Sequence, residues 1–165
     1  MKFIIRLFSA LIITFSYIEL AYSKTTKIIV FGDSLIAGYG LVVKDNFVNQ
    51  LKLKTIENKI NDVTLFNSGV SGETSTGLLN RYKWVLEDNY DGVIILIGAN
   101  DALRGIDPSL TSQNIEKILS YLKEKQIPTM LIGMKAPNNL GEIYVNEFNT
   151  ISVSYTHLTL PTTYG

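Results

Sequence analysis

The sequence contains no cysteine and a single histidine, His157. Without cysteine the chain cannot form disulfides, thiolate metal sites or a cysteine nucleophile. It also lacks an excess of either charge, because 15 basic residues balance 15 acidic ones. No basic stripe interrupts this balance, so we expect no nucleic-acid partner. What remains is a chain of 165 residues with 46% hydrophobic content, enough for one domain with a buried core.

A long hydrophobic run is present only near the N-terminus. Basic residues precede an apolar run over residues 7–18, and Ala-Tyr-Ser follows at residues 21–23. This order is typical of a secretory signal. The alternative, a membrane anchor, needs about 20 apolar residues, and Glu19 ends the run too early. We therefore expect residues 1–23 to be removed, leaving a periplasmic or secreted protein with no stable membrane anchor.

The last thirteen residues, 153–165, have no charged side chain and contain four threonines. The body of the chain is instead rich in Lys, Asn and Ile. Back-translated, residues 153–162 resemble the end sequence of a common transposase-based sequencing adapter, and a natural β-hairpin tail is the alternative. We expect residues 24–152 to form an incomplete domain, without its last strand and helix, and residues 153–165 to be foreign to the gene.

Apolar periodicity predicts four strand-then-helix units. The predicted strands cover residues 27–31, 63–67, 92–97 and 128–134. The first predicted helix covers 47–60, with Asn46 as cap and Phe47, Leu51, Ile56 and Ile60 at mostly helical spacing. The second is an amphipathic helix marked by Leu78, Leu79, Tyr82, Val85 and Leu86. The third is opened by Asp107-Pro108 and has a buried stripe of Ile115, Ile118, Leu119 and Leu122, and the last covers 141–151. Strands that alternate with helices predict a doubly wound α/β fold, with a parallel sheet between two helix layers.

Three polar segments each follow a predicted strand. They are Gly-Asp-Ser-Leu at residues 32–35, Ser-Gly-Glu-Thr at 71–74 and Gly-Ala-Asn-Asp at 98–101. Because parallel strands end at one rim of a sheet, we expect the three segments to converge. Residues 32–40 fit neither the dinucleotide-binding nor the P-loop glycine pattern, and we expect no cofactor and no metal.

Together the three segments offer most of what acyl transfer needs, a nucleophilic oxygen and donors for the oxyanion. Ser34 supplies a hydroxyl and its own N–H, Gly72 a backbone N–H and Asn100 a side-chain amide. Each also has a simpler explanation, with Ser34 as a helix cap, Gly72 as a turn glycine and Asn100 as a turn or cap residue. We expect Asp33 to hold its turn by accepting backbone N–H groups rather than to act as the base. All the simpler explanations would have to hold together, which favours catalysis.

These three segments resemble the first three sequence blocks of the SGNH (GDSL) hydrolases. The longer matches at residues 67–74 and 98–105 are similar to the branch that contains the periplasmic acyl-CoA thioesterase I, arylesterase and lysophospholipase L1. The resemblance implies a serine esterase or thioesterase with a flavodoxin-like fold, in which Ser34 is the nucleophile and Ser34, Gly72 and Asn100 form the oxyanion hole. It implies a small-molecule acyl ester or thioester substrate, and we expect a monomer.

The fourth block of that family, an Asp-x-x-His that supplies the general base and its orienting acid, has no counterpart here. His157 has Ser154 three residues before it and lies in the segment 153–165, so we do not expect it to be the base. We expect the native pair to lie beyond residue 152 and the chain as written to be inactive. Two alternatives stay open, a non-catalytic α/β module that binds an anion or a sugar and a carbohydrate O-acetylesterase of the same fold.

Overall fold

A computed structural model describes residues 24–155, with side chains through residue 151. Its four strands form one parallel sheet in the order β2-β1-β3-β4, where β1 is Thr26–Gly32, β2 Val63–Gly69, β3 Gly92–Leu96 and β4 Thr129–Leu131. The predicted α/β fold with a parallel sheet is confirmed. The predictions for residues 1–23 and 156–165 lie outside the described residues.

Six α-helices lie among the described residues: α1 Ser34–Ala37, α2 Phe47–Glu57, α3 Ser75–Val85, α4 Ala99–Leu103, α5 Pro108–Glu124 and α6 Glu142–Tyr155. The predicted caps are present, since Asn46 accepts the N–H of Asn49 at 2.9 Å and Asp107 that of Ser109 at 2.8 Å. The short helices α1 and α4 were not predicted. Both begin directly after a strand, so they bear on the site described below.

The larger core lies on one face of the sheet, where α3, α5 and α6 pack on β1 and β3. Its buried members include Ile29, Phe31, Leu78, Tyr82, Val93, Ile95, Ile115, Ile118, Leu119, Leu122 and Phe148. The buried stripes predicted for the second and third helices are therefore confirmed, with Leu79 and Val85 partly buried. The opposite face carries a smaller cluster of Val30, Ile36 and Val48, so helices cover both faces of the sheet.

The apolar spacing that predicts α2 does not mark a buried face, and the predicted end of this helix at Ile60 was wrong. Phe47 and Ile56 are 39% and 55% exposed, and the helix ends at Glu57, before the exposed Ile60. The buried residue of α2 is Val48. The physical reason is the sheet order, because α2 packs beside β2 at the edge of the sheet and covers little apolar surface there.

Two predicted boundaries near the C-terminal end were also wrong. Of residues 128–134, only Thr129–Leu131 form a strand, β4. Ile132 still donates its N–H to Ile95 O of β3 at 2.8 Å. The N–H of Ala136 donates to Oδ1 of Asn149 in α6 at 2.9 Å, so the chain has left the sheet by this residue. Helix α6 extends to Tyr155, beyond the predicted end at Ile151. Over residues 24–155, no helix combines the length and apolar character needed to cross a membrane.

Candidate active site

The ends of β1, β2 and β3 lie side by side. Gly32, the last residue of β1, pairs with Gly69 of β2 and with Leu96 of β3. Neighbouring strands are about 4.8 Å apart, so the three polar segments leave the sheet together. Gly32 O also accepts the N–H of Val70 at 2.9 Å, which extends the contact beyond the strands. The structure thus brings the three segments to one rim, as the sequence predicts.

Helix α1 packs directly against these strand ends. A Cβ atom on Gly69 would clash with the backbone of Ile36 and Ala37, so only glycine allows this approach. Asn67 adds a polar link, because its Nδ2 donates to Ile36 O at 2.7 Å and its Oδ1 accepts the N–H of Gly69 at 2.9 Å. The end of β2 therefore fixes the position of α1.

Ser34 is the first residue of α1 and is partly buried. The N-cap of this helix is Asp33, whose Oδ1 accepts the N–H of Leu35 at 2.9 Å. Asp33 therefore holds the turn through a backbone N–H, as its position in the sequence predicts. Because Asp33 caps the helix, the Ser34 hydroxyl is not needed for that purpose. The second carboxylate oxygen of Asp33 is buried and has no hydrogen-bond partner among the described residues.

Gly72 lies in a turn between β2 and α3 and has a φ of +79°, in the left-handed region. Its carbonyl oxygen accepts a hydrogen bond from Nη2 of Arg104 at 2.8 Å. The Gly72 N–H donates a hydrogen bond to no group in the described part of the chain. The turn thus has its carbonyl held from one side while the N–H stays available as a donor.

Asn100 lies in the first turn of α4, which begins after Gly98 with a φ of +116°. Its Nδ2 donates to Glu73 O at 3.0 Å, so the amide of Asn100 is held by the residue that follows Gly72. An amide nitrogen carries two N–H groups. The second one donates to no group within residues 24–155. Gly72 and Asn100 therefore each keep one N–H available, on two segments that are joined to each other.

A buried ion pair, which the sequence patterns above do not predict, supports the Gly72 turn. Arg81 of α3 contacts both carboxylate oxygens of Glu73, at 2.5 and 2.6 Å, and donates to Oγ and O of Ser68 at 2.8 and 2.6 Å. The Glu73 side chain is only 4% exposed. One signal was available, because Arg81 is a charged residue on the apolar face that Leu78 and Val85 define.

Tyr144 of α6 supports the segment that follows α4. Its hydroxyl donates to Ile106 O at 2.8 Å. Burial raises the pKa of Tyr144 above its ordinary value of 10.0, and the negative charges of Asp101 and Asp107 raise it further. The phenol therefore stays protonated near neutral pH and keeps its donor role. This ties α6 to the loop between α4 and α5.

Neither a histidine nor a metal-binding cluster occurs among residues 24–155. No group of three His, Asp or Glu side chains in this range is placed to hold a metal ion. The only histidine of the sequence, His157, lies outside the described residues. The described site thus holds a hydroxyl and available N–H groups but no histidine.

Comparison with known proteins assigns the chain to a family. The sequence profile of the GDSL-like Lipase/Acylhydrolase family matches residues 30–156. The chain belongs to this family. The match includes all three polar segments at the strand ends. The resemblance to the SGNH (GDSL) hydrolases is therefore confirmed, and with it an ester-hydrolysing class of enzyme.

Two curated relatives of this GDSL-like chain carry esterase or thioesterase names. The arylesterase of Vibrio mimicus is 32% identical over 148 residues, which cover 89% of this chain and 72% of the relative. The "Thioesterase 1/protease 1/lysophospholipase L1" of Escherichia coli K12 is 31% identical over 125 residues, which cover 75% of this chain and 58% of the relative. The chain thus spans about three fifths to seven tenths of the length of these relatives.

Solved structures give the same family assignment. AlinE4, described as an SGNH-hydrolase family esterase, superposes with a TM-score of 0.75 at 39% identity and covers 81% of this chain and 70% of its own. The psychrotrophic esterase EstA from a Pseudoalteromonas species superposes with a TM-score of 0.74 at 31% identity, covering 81% of this chain and 73% of its own. This GDSL-like chain therefore has the SGNH-hydrolase fold.

Proposed function

We propose that this protein is an exported serine hydrolase that cleaves acyl esters or thioesters through an acyl-enzyme on Ser34. The observation that carries the proposal is the meeting of three groups at adjacent strand ends. Ser34 begins α1, and the available N–H groups of Gly72 and Asn100 lie on two segments that Asn100 itself links. A hydroxyl and two N–H donors that leave adjacent strand ends supply the groups that acyl transfer needs, a nucleophile and donors for the oxyanion.

In the proposed reaction, Ser34 Oγ attacks the carbonyl carbon of the substrate while a base takes the hydroxyl proton. The carbonyl oxygen becomes an oxyanion, which accepts hydrogen bonds from the backbone N–H groups of Ser34 and Gly72 and from the amide of Asn100. The tetrahedral intermediate then collapses and its bond to the alcohol or thiol breaks. The leaving group takes the proton that the base had accepted from Ser34. Water then attacks the acyl-enzyme by the reverse sequence and releases the acid. In this proposal the base is a histidine, and residues 24–155 contain none.

The substrate class in this proposal follows the names of the relatives. Arylesterase and thioesterase 1/lysophospholipase L1 are names for enzymes acting on aryl esters, acyl thioesters and lysophospholipids. We therefore choose short-chain p-nitrophenyl esters as the first substrates. A carbohydrate O-acetylesterase would instead prefer acetylated sugars, and a non-catalytic binding module would turn over neither.

The proposal is tested by ester hydrolysis in the full gene product and its Ser34→Ala variant. The full product should hydrolyse p-nitrophenyl butyrate, and Ser34→Ala should reduce the rate by about 1,000-fold or more, since in such triads the nucleophile accounts for most of the acceleration. Equal rates in the two proteins would reject Ser34 as the nucleophile. No turnover of any ester, together with retained binding of an anion or sugar, would favour the binding module.

Export is the second part of the proposal, and it rests on the N-terminal sequence pattern. A basic start, a short apolar run and a small-residue cleavage site precede Lys24. The mature enzyme should therefore begin at Lys24, and we propose that it acts in the periplasm or outside the cell as a monomer. N-terminal sequencing of the protein recovered from the periplasm tests this. A product that keeps Met1 and stays with washed membranes would contradict it.

A further inference from the structure

Asp101 of α4 is completely buried, and both of its carboxylate oxygens accept hydrogen bonds. Oδ2 accepts the backbone N–H of Ser75 at 2.8 Å, and Oδ1 accepts the Ser75 hydroxyl at 2.5 Å and the Thr111 hydroxyl at 3.2 Å. Every one of these donors belongs to another helix, α3 or α5. A carboxylate away from water needs such partners, because an unpaired buried charge is costly.

The hydroxyl of Ser75 is locked in its role as a donor to Asp101. Asn114 of α5 donates from Nδ2 to Ser75 Oγ at 3.0 Å, and a second contact joins the same Nδ2 to Thr76 Oγ1 at 2.9 Å. The hydroxyl has one hydrogen. Since Ser75 Oγ accepts from Asn114, its hydrogen is directed to Asp101. The start of α3 is thus held by two hydrogen bonds to one carboxylate.

These hydrogen bonds connect the two segments that carry the oxyanion donors. Asp101 follows Asn100 in α4, and Ser75 comes three residues after Gly72 in the chain. Asn100 itself donates to Glu73 O at 3.0 Å. Two consecutive residues of α4 therefore hold the segment 72–75 at two points. With both attachments made, the Gly72 N–H and the Asn100 amide have a fixed relative position.

We propose that Asp101 is a positioning residue that sets the geometry of the oxyanion hole through Ser75. The inference rests on the proposed roles of Gly72 and Asn100 as oxyanion donors. Asp101 does not touch substrate in this account and acts only through the segment that it holds. A displacement of about 1 Å at such a site is enough to cost on the order of 100-fold in rate.

The direct test is Asp101→Asn in the full gene product, assayed with p-nitrophenyl butyrate. The amide has one oxygen and one NH2 group, so one of the two Ser75 donors faces another donor and loses its acceptor. We expect kcat to fall about 10- to 100-fold while KM changes less than about twofold, because only the transition state uses the oxyanion donors. Hydrogen exchange of the backbone over residues 72–76 should become faster in the same variant.

Thr111→Val is the matched control, because it removes a hydrogen bond to the same Asp101 oxygen without touching residues 72–75. It should lower stability but leave kcat and exchange over residues 72–76 within about twofold of the parent. If Asp101→Asn does not fold, judged by far-UV circular dichroism, Ser75→Ala replaces it. This variant keeps the N–H bond to Oδ2 and loses the hydroxyl bond, so a smaller kcat loss of about 3- to 10-fold is expected.

Two results would overturn the inference, and they differ from failure of the proposed function. If Asp101→Asn, or Ser75→Ala in its place, has the same kcat as Thr111→Val, then Asp101 is merely structural. A large rise in KM with unchanged kcat would show that it shapes substrate binding instead. Failure of the proposed function has a separate sign, since either Ser34→Ala would keep the parent activity or the parent itself would turn over no ester, and the oxyanion role of Asp101 would be rejected with it.

Discussion

At the scale of single residues, the Gly72 peptide has a backbone conformation that favours glycine. Residues with a Cβ rarely adopt its φ of +79°. In this conformation the Gly72 carbonyl oxygen accepts a hydrogen bond from Arg104, and the N–H remains available as a donor. A Cβ at this position would lie 3.4 Å from Nη2 of Arg104, which is the end of a flexible side chain. The space therefore tolerates alanine, whereas the backbone conformation does not favour it.

Gly72→Ala should lower kcat about 10-fold or more with a stability loss of about 1 kcal/mol, because the peptide relaxes away from the left-handed conformation. Gly40→Ala is the matched control, since Gly40 is exposed in the loop after α1, has a φ of +78° and would bring an added Cβ within 4 Å of no atom. It should lose similar stability and keep kcat. Steady-state kinetics and urea unfolding of both variants decide the matter. Equal kcat values would mean that the Gly72 peptide has no part in the reaction.

The sequence predicts where the three site residues lie, but it does not show what holds them. Ser34, Gly72 and Asn100 follow strands, and parallel strands must end together, so their convergence follows from pattern alone. The contacts of Arg104 with Gly72 O and of Asp101 with Ser75 depend on the orientation of α4. That helix is too short to produce an apolar period, so no pattern predicts it.

At the scale of elements, α3 is joined to the end of β2 by Arg81. The guanidinium binds Glu73 and Ser68 and also stacks over the Phe31 ring, with Cζ 5.3 Å from the ring centroid. Planar guanidinium suits such a combined role, in which one group makes paired hydrogen bonds and covers an aromatic face. The turn that contains Gly72 is therefore bounded by Arg81 contacts on both sides.

Arg81→Ala should lower the free energy of unfolding by about 3 to 5 kcal/mol, because it leaves the Glu73 carboxylate buried without its partner. Lys54→Ala is the control, since Lys54 pairs with Glu57 at the surface, where the two side chains are 67% and 58% exposed. It should change stability by less than about 0.5 kcal/mol. Urea unfolding measures both. A loss at Arg81 no larger than that at Lys54 would show that the buried pair does not hold the turn.

The starts of β1 and β3 are joined by Asp91, which gives the fold an acid-sensitive contact. The hydrogen bond from Lys24 lowers the pKa of Asp91 below its ordinary value of 3.8, and the N–H of Lys27 lowers it further. A carboxylate whose pKa is lowered by folding stabilises the native state above the unfolded pKa. This contribution is lost as the pH falls through the folded pKa.

Asp91→Asn should therefore be less stable than the parent at pH 6, and the difference should shrink as the pH falls below about 4. Melting temperatures of the two proteins from pH 6 to pH 2.5 provide the measurement. A difference that stays constant over this range would mean that the Asp91 charge makes no contribution.

The helices show when an apolar pattern in the sequence identifies a buried face. Helices α3 and α5 pack on the central strands, so burial on one side produced the apolar stripe from which they were predicted. Helix α2 lies beside the edge strand β2, and its apolar residues Phe47 and Ile56 remain exposed. An apolar period therefore located the helix without identifying its buried face, because burial depends on neighbours that the local sequence does not encode.

At the scale of the whole molecule, the described residues contain the sheet, its helices and the candidate residues Ser34, Gly72 and Asn100, but no histidine. The chain spans 72% of the Vibrio mimicus arylesterase and 58% of the Escherichia coli thioesterase 1. We propose that the base and its orienting acid belong to the native continuation of the domain beyond residue 152. The foreign origin of residues 153–165 likewise stays a prediction.

The 165-residue chain should hydrolyse p-nitrophenyl butyrate at a rate near background, and His157→Ala should not change that rate. Ser154 stands where an orienting acid would be needed, and a histidine without such a group lacks a fixed tautomer. Parallel assays of the two chains test this. A large loss of activity on mutation would show that His157 is the base and that residues 153–165 are native.

The central claim, that Ser34 is the nucleophile, is tested most directly by covalent trapping in the full gene product. Incubation with a fluorophosphonate should add one label per chain, and mass spectrometry of the digested protein should place it on the peptide that contains Ser34. The Ser34→Ala variant should stay unlabelled under the same conditions. A label on another residue, or one that persists in Ser34→Ala, would contradict the account.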